Sequence, residues 1–129
     1  MLPFSVTLRA GFPVQEQVTF AVTRAVVTGQ LRAGDAFPSV RALSQSLRIN
    51  PNTAHRIVAS LVSDGLLEVR PGIGTVVSAL RPGSAADRRA VLDGDIERLA
   101  VAARRAGIGL EDTIAALRRH WTRTTPEDR

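Results

Sequence analysis

The sequence predicts a mainly α-helical protein with one small β element, on three observations. Apolar residues recur three and four positions apart in five separate segments, the spacing of a helix that buries one face. Most of these segments open on Pro, Ser or Asn and close on or just before Gly, the residues that start and stop helices. Only one stretch, residues 66–78, sets two runs of β-formers around a glycine-rich loop.

Phe4-Ser5-Val6-Thr7-Leu8 alternates apolar and polar and predicts a short strand. Pro13 opens the first helix, in which Val14, Val18, Ala21, Val22, Ala25 and Val26 form one stripe, and Gly29 ends it. Gly34-Asp35 marks a turn. Ser39 then caps a short helix with Val40, Leu43 and Leu47 on its apolar face. After the bend Arg48-Ile49-Asn50, Asn50 caps a third helix whose first position is Pro51. Ala54, Val58, Leu61 and Val62 are expected to face inward, and Asp64-Gly65 terminates the helix. Residues 66–70 and 75–78 read as a hairpin closed by Pro71-Gly72-Ile73-Gly74. Helix, helix, tight bend, helix, hairpin is the order of a winged helix-turn-helix.

Arg81-Pro82-Gly83 is the linker candidate, dividing residues 1–80 from a tail of residues 81–129. In the tail, Ser84 caps a helix with Asp87 three residues on, a variant of the capping box. Leu92, Ile96, Leu99, Ala103 and Ala106 continue the helix to Gly107, and Leu110, Ile114, Leu117 and Trp121 repeat the spacing. The two stripes predict an antiparallel helical hairpin whose open face is covered by a second copy of the chain. Residues 122–129 are polar and expected to fray.

Composition narrows the function classes. The 129 residues carry a formal net charge of +5, and all 17 basic residues are arginine. Residues 1–80 hold seven Arg against four acids, and the tail ten against eight. The first part therefore presents a basic surface, while the tail has mixed helix faces. There is no cysteine for disulfide or thiolate chemistry, and no run of the roughly 18–20 apolar residues that span a bilayer. The N-terminal stretch lacks a basic residue before its apolar part, unlike a signal peptide, so a soluble cytoplasmic protein is expected. Two isolated histidines form no metal site or triad, and Gly72-Ile73-Gly74 leads into a strand rather than a phosphate-binding helix. Neither an enzyme nor a cofactor is expected.

The helix pair has what DNA reading requires. One helix buttresses, and the next presents its N-terminal turn, where free N–H groups and the dipole favour phosphate. Asn50, Asn52 and Thr53 offer hydrogen bonds there, while His55 and Arg56 project one turn further. Asn pairs with adenine and Arg with guanine in bidentate fashion.

The stretch from Gly29 to Leu47, GQLRAGDAFPSVRALSQSL, resembles the first half of the GntR family's DNA-binding domain. INPNT at 49–53, Leu61, DGL at 64–66 and GIGT at 72–75 continue the resemblance, and PVQEQV at 13–18 resembles the entry to its first helix. Asn50-Pro51-Asn52-Thr53 and the short two-helix tail make the chain most similar to the YtrA subfamily. The resemblance implies a homodimeric regulator, a repressor beside transporter operons, that binds double-stranded operator DNA as an inverted repeat. The expected DNA contacts are Ser39, Arg41, Asn50, Asn52, Thr53, His55, Arg56, Gly72, Gly74 and Thr75. Leu92, Ile96, Leu99, Ala103, Leu110, Ile114, Leu117 and Trp121 are the expected dimer residues. Four positions depart from the family: Gln15 replaces an aromatic, Arg48 the glycine of the bend, His55 a basic residue and Ile73 the basic wing tip. About 40 tail residues are few to enclose an effector pocket of ~300 Å³. The alternative reading is an adaptor whose winged helix docks a protein; steep salt dependence distinguishes DNA binding from it.

Overall fold

The computed structural model describes residues 2–124, in two compact units divided between Leu80 and Arg81. In the first unit, α1 (Val14–Val27) buries Val18, Ala21, Val22, Ala25 and Val26, the stripe its spacing predicts. α2 (Val40–Leu47) starts where the Ser39 Oγ accepts the Ala42 N–H at 3.1 Å. α3 (Pro51–Ser63) starts where the Asn50 Oδ1 accepts the Asn52 N–H at 2.8 Å. Each cap satisfies an N–H that the first helical turn leaves without a partner. α3 packs against α1, α2 and the hairpin, so it is the element the others position. Its buried residues are Ala54, Ile57 and Leu61; Val58 and Val62, expected inside, are only half-buried.

Between α2 and α3 the chain turns through Arg48, at φ 54° and ψ 48°. The left-handed conformation costs an L-residue about 1–2 kcal/mol, because Cβ crowds the following carbonyl. The bend therefore keeps the geometry that glycine would give it and carries the strain.

The strands β1 (Leu67–Arg70) and β2 (Gly74–Val77) pair antiparallel, with Leu67 opposite Val77 and Arg70 opposite Gly74. Beyond this hairpin, Ala36 bridges Val76. The Phe37 N–H donates to the Thr75 carbonyl at 2.9 Å, and the Val77 N–H to the Asp35 carbonyl at 2.9 Å. The wing is thus fastened to the segment that leads into α2.

The strand expected at residues 4–8 does not form. Leu2, Phe4, Val6 and Leu8 do alternate inward, and Phe4 stacks on Phe37 with centroids 5.8 Å apart. The segment is extended but has no ladder partner among the described residues. Its backbone is held instead by side chains: the Arg24 guanidinium donates to the Ser5 carbonyl at 3.2 Å, and Gln17 grips both the N–H and the carbonyl of Arg9. A period of two reports an extended, half-buried chain; burying a side chain such as Phe4 contributes ~1.5–3 kcal/mol with or without a sheet.

The second unit begins with the capping box. The Ser84 Oγ accepts the Asp87 N–H at 3.1 Å, and the Asp87 carboxylate accepts the Ser84 N–H at 2.9 Å. Hydrogen bonds from Ser84 to the carboxylate, its backbone N–H first and its hydroxyl second, hold the Asp87 carboxyl below its ordinary pKa. Helix α4 (Ala85–Arg89) runs through a π-helical segment, Ala90–Asp95, into α5 (Ile96–Arg105). After Gly107, at φ 75°, α6 (Leu110–Arg123) follows. The two helices of the expected hairpin and the short turn between them form, but not as a closely packed pair. α5 and α6 do not pack along their lengths, and Ala103 is the one buried residue among those described in this unit. Two stripes of this length, joined by a short turn, remain open to water. The described part of the polar tail ends at 124; residues 125–129 lie outside it. No described helix is long and apolar enough to cross a membrane.

Candidate nucleic-acid interface

At about 100° per residue, Asn52, His55 and Arg56 fall within one narrow sector of α3. Ala54, Ile57 and Leu61 fall on the opposite side and are fully buried. The three polar side chains are exposed, and Ala59 and Ser63 extend the same exposed face toward the C-terminal end. α3 is thus apolar against the unit and polar outward. Thr53, on the flank, is half-buried. Because the Asn50 Oδ1 serves as the cap, its amide NH₂ is the group left to donate outward.

Arg41 is exposed in the first turn of α2, two residues after the Ser39 cap. Neither Arg41 nor Arg56 has an acidic partner within ion-pair distance among the described residues. Both remain available to an external anion. The wing differs: its Arg70 is engaged by Glu68 at 2.8 Å. At its tip Ile73 is 71% exposed between Gly72 (φ 78°) and Gly74 (φ 113°). Such angles suit glycine, which lets the backbone itself approach a surface. Thr75 is half-buried, and its carbonyl is occupied by Phe37.

In the second unit Ile96, Leu99, Leu110, Ile114 and Leu117 line an open groove of about 620 Å³ between α5 and α6. Leu110 is 72% exposed. Ala103 lies at the base of the groove, while Trp121, 71% exposed, is not among its lining residues. Leu92 is also outside it. The π-helical segment inserts about one residue, or ~100° of rotation, between Leu92 and Ile96, which breaks the register assumed from uniform α spacing. Leu92 shares a separate depression with Val91, Asp87 and Arg88. Val91 was missed by sequence reasoning; Gly94, inside the π segment, was the available signal of an irregular helix.

The model of the bacterial regulatory proteins of the gntR family matches residues 14–77, from the start of α1 to the end of the wing. The HTH-type transcriptional repressor YtrA of Bacillus subtilis is 28% identical over 104 residues, 80% of this chain and 80% of that protein. The HTH-type transcriptional regulator Rv1152 of Mycobacterium tuberculosis is 35% identical over 81 residues, 63% of this chain and 67% of that one. Among solved structures, the transcriptional antiterminator from Listeria monocytogenes EGD-e shares the fold at a TM-score of 0.79 and 20% identity, over 98% of this chain and 95% of that one. The match spans the helices and wing just described. The chain belongs to the GntR family of bacterial regulatory proteins and is a DNA-binding transcriptional regulator of the winged helix-turn-helix type.

Proposed function

We propose that two copies of this chain bind an inverted-repeat operator, each laying α3 in a major groove, and that binding represses transcription in the cytoplasm. The observation that carries the reading is the polarity of α3, with Asn52, His55 and Arg56 exposed opposite a fully buried Ala54, Ile57 and Leu61. Asn52, His55 and Arg56 reach base edges, with Asn50 and Thr53 at the first turn. Ser39 and Arg41 face the phosphate backbone, and Gly72, Gly74 and Thr75 bring the wing alongside the duplex. Residues 1–80 bind DNA and residues 81–129 dimerise. The second copy covers the groove lined by Ile96, Leu99, Leu110, Ile114 and Leu117, with Ala103 at its base, and extends beyond the groove to Leu92 and Trp121. Repression is supported by the name of the Bacillus subtilis relative. The resemblance makes transporter operons the first genes to test.

Arg41→Ala and Arg56→Ala test the orientation of the helix pair. Each is expected to weaken operator binding by ~1–3 kcal/mol while leaving thermal stability unchanged, since both side chains are exposed and have no ion-pair partner among the described residues. Loss of a base contact relaxes specificity at one position, whereas loss of a phosphate contact weakens all sequences alike. Wild-type affinity in both variants would show that another face meets DNA.

The wing should act through its backbone, because Ile73 holds the tip and Arg70 is already paired. Ile73→Arg is therefore expected to raise affinity for duplexes of any sequence, most at low salt where screening is weakest. A fall in affinity measured by fluorescence anisotropy would place Ile73 in an essential apolar contact.

A further inference from the structure

Three helices of this chain end on the same hydrogen-bonded closure, and one departs from the residue that closure favours. α3 ends with the Gly65 N–H on the Val62 carbonyl (3.0 Å) and the Leu66 N–H on the Leu61 carbonyl (3.0 Å). α5 ends with the Gly107 N–H on Arg104 (3.1 Å) and the Ile108 N–H on Ala103 (2.9 Å). α2 ends with the Arg48 N–H on Gln45 (3.4 Å) and the Ile49 N–H on Ser44 (3.1 Å). The motif requires a left-handed residue where the helix stops. Gly65 and Gly107 supply it at φ 81° and 75°. Arg48 supplies it at φ 54° and is the one non-glycine residue with positive φ among those described.

Glycine thus stands where the closure only ends a helix, and arginine stands at the joint of the helix-turn-helix. Backbone strain of this kind persists only where the surrounding structure holds it, and it clusters at functional sites. The Arg48 side chain is exposed and has no anionic partner among the described residues. Its backbone is fixed on both sides, by the closure of α2 and by Ile49, which packs against the core. Two residues on, Asn50 caps α3, whose N-terminal end already favours negative charge.

We propose that Arg48 is a further DNA contact, an arginine held on the phosphate backbone beside the start of α3 and kept there against the conformational preference of the turn. The proposal rests on the reading of α3 as the DNA-facing helix. A guanidinium suits the role because its fork can give a phosphate two hydrogen bonds.

The test is Arg48→Gly in the full chain, with Arg48→Lys beside it, on a mixed-sequence duplex several helical turns long. Arg48→Gly is expected to raise the thermal midpoint by a few degrees, because it relieves the strain, and to weaken DNA binding about three- to tenfold. The slope of log affinity against log salt should become shallower by about 0.9 per protomer. Arg48→Lys should retain the wild-type slope. Arg48→Gly with a raised midpoint but unchanged affinity and slope would overturn the proposal while leaving α3 as the reading helix. A wild-type chain with no salt-dependent affinity for DNA would overturn both, whatever the midpoint of the variant.

Discussion

Leu99→Asp is expected to leave residues 2–80 folded and to turn the protein into monomers that bind a two-half-site operator about 10²- to 10⁴-fold more weakly. The expectation follows from the open tail. Leu99 is 40% exposed on α5 and faces the groove that Leu110 and Leu117 border from α6. Neither helix covers the other, so the apolar stripes stay wet in a single chain. Contiguous apolar surface of this kind marks an interaction site, and an isologous two-fold contact removes it from water with the same residues on both sides. An aspartate in that seam would have to be desolvated without a partner. Loss of the dimer then removes the effective concentration that tethers the second recognition helix to its half-site. Sedimentation velocity and gel-shift titration read the two parts separately. A monomeric wild type, or a Leu99→Asp variant that remains dimeric, would refute the assignment of the groove.

Ile57→Ala is expected to lower the stability of the first unit by ~2–5 kcal/mol, through lost transfer energy and the cavity left behind. Ile57 is fully buried in α3, the helix on which α1, α2 and β1 pack. For a unit of this size each kcal/mol shifts the midpoint by roughly 4–8 °C, so the melt should move by about eight degrees or more. Well below the new midpoint, operator affinity should remain near the wild-type value, because Ile57 lies on the side of α3 away from Asn52, His55 and Arg56. The exposed Arg56→Ala should show the reverse: lost affinity, kept stability. Together the variants separate the two faces of one helix. If Ile57→Ala melts with the wild type, the packing of α3 is not as described.

Where a signal is local, the sequence states it. The caps Ser39, Asn50 and Ser84 bond as their positions imply, because an N-cap needs only a side-chain oxygen and an N–H two or three residues on. The hairpin and its glycines are legible for the same reason. Non-local choices were not. The alternation of Phe4, Val6 and Leu8 does not say whether a partner strand exists, and Gly34-Asp35 does not reveal that Ala36 will bridge Val76. Ile57 escaped because Ala54 and Leu61 lie seven residues apart, and either Ile57 or Val58 completes that helical stripe. The π-helical segment escaped because apolar residues at α spacing on either side of it do not register one inserted residue. All ten expected DNA residues lie on α2, α3, the wing or the caps leading into them, and eight are exposed; Thr53 and Thr75 are half-buried. The turn residue Arg48 was legible as a departure, but the conformation it adopts was not.

The most direct test of the account is selection by the full-length protein from a pool of random duplexes, repeated over a range of salt. Two copies reading DNA through α3 should enrich an inverted repeat with half-sites about one helical turn apart, or a multiple of it, and bind it with affinity that falls steeply as salt rises. A single unrepeated half-site would contradict the two-fold arrangement, and a pool without enrichment would contradict sequence reading by α3.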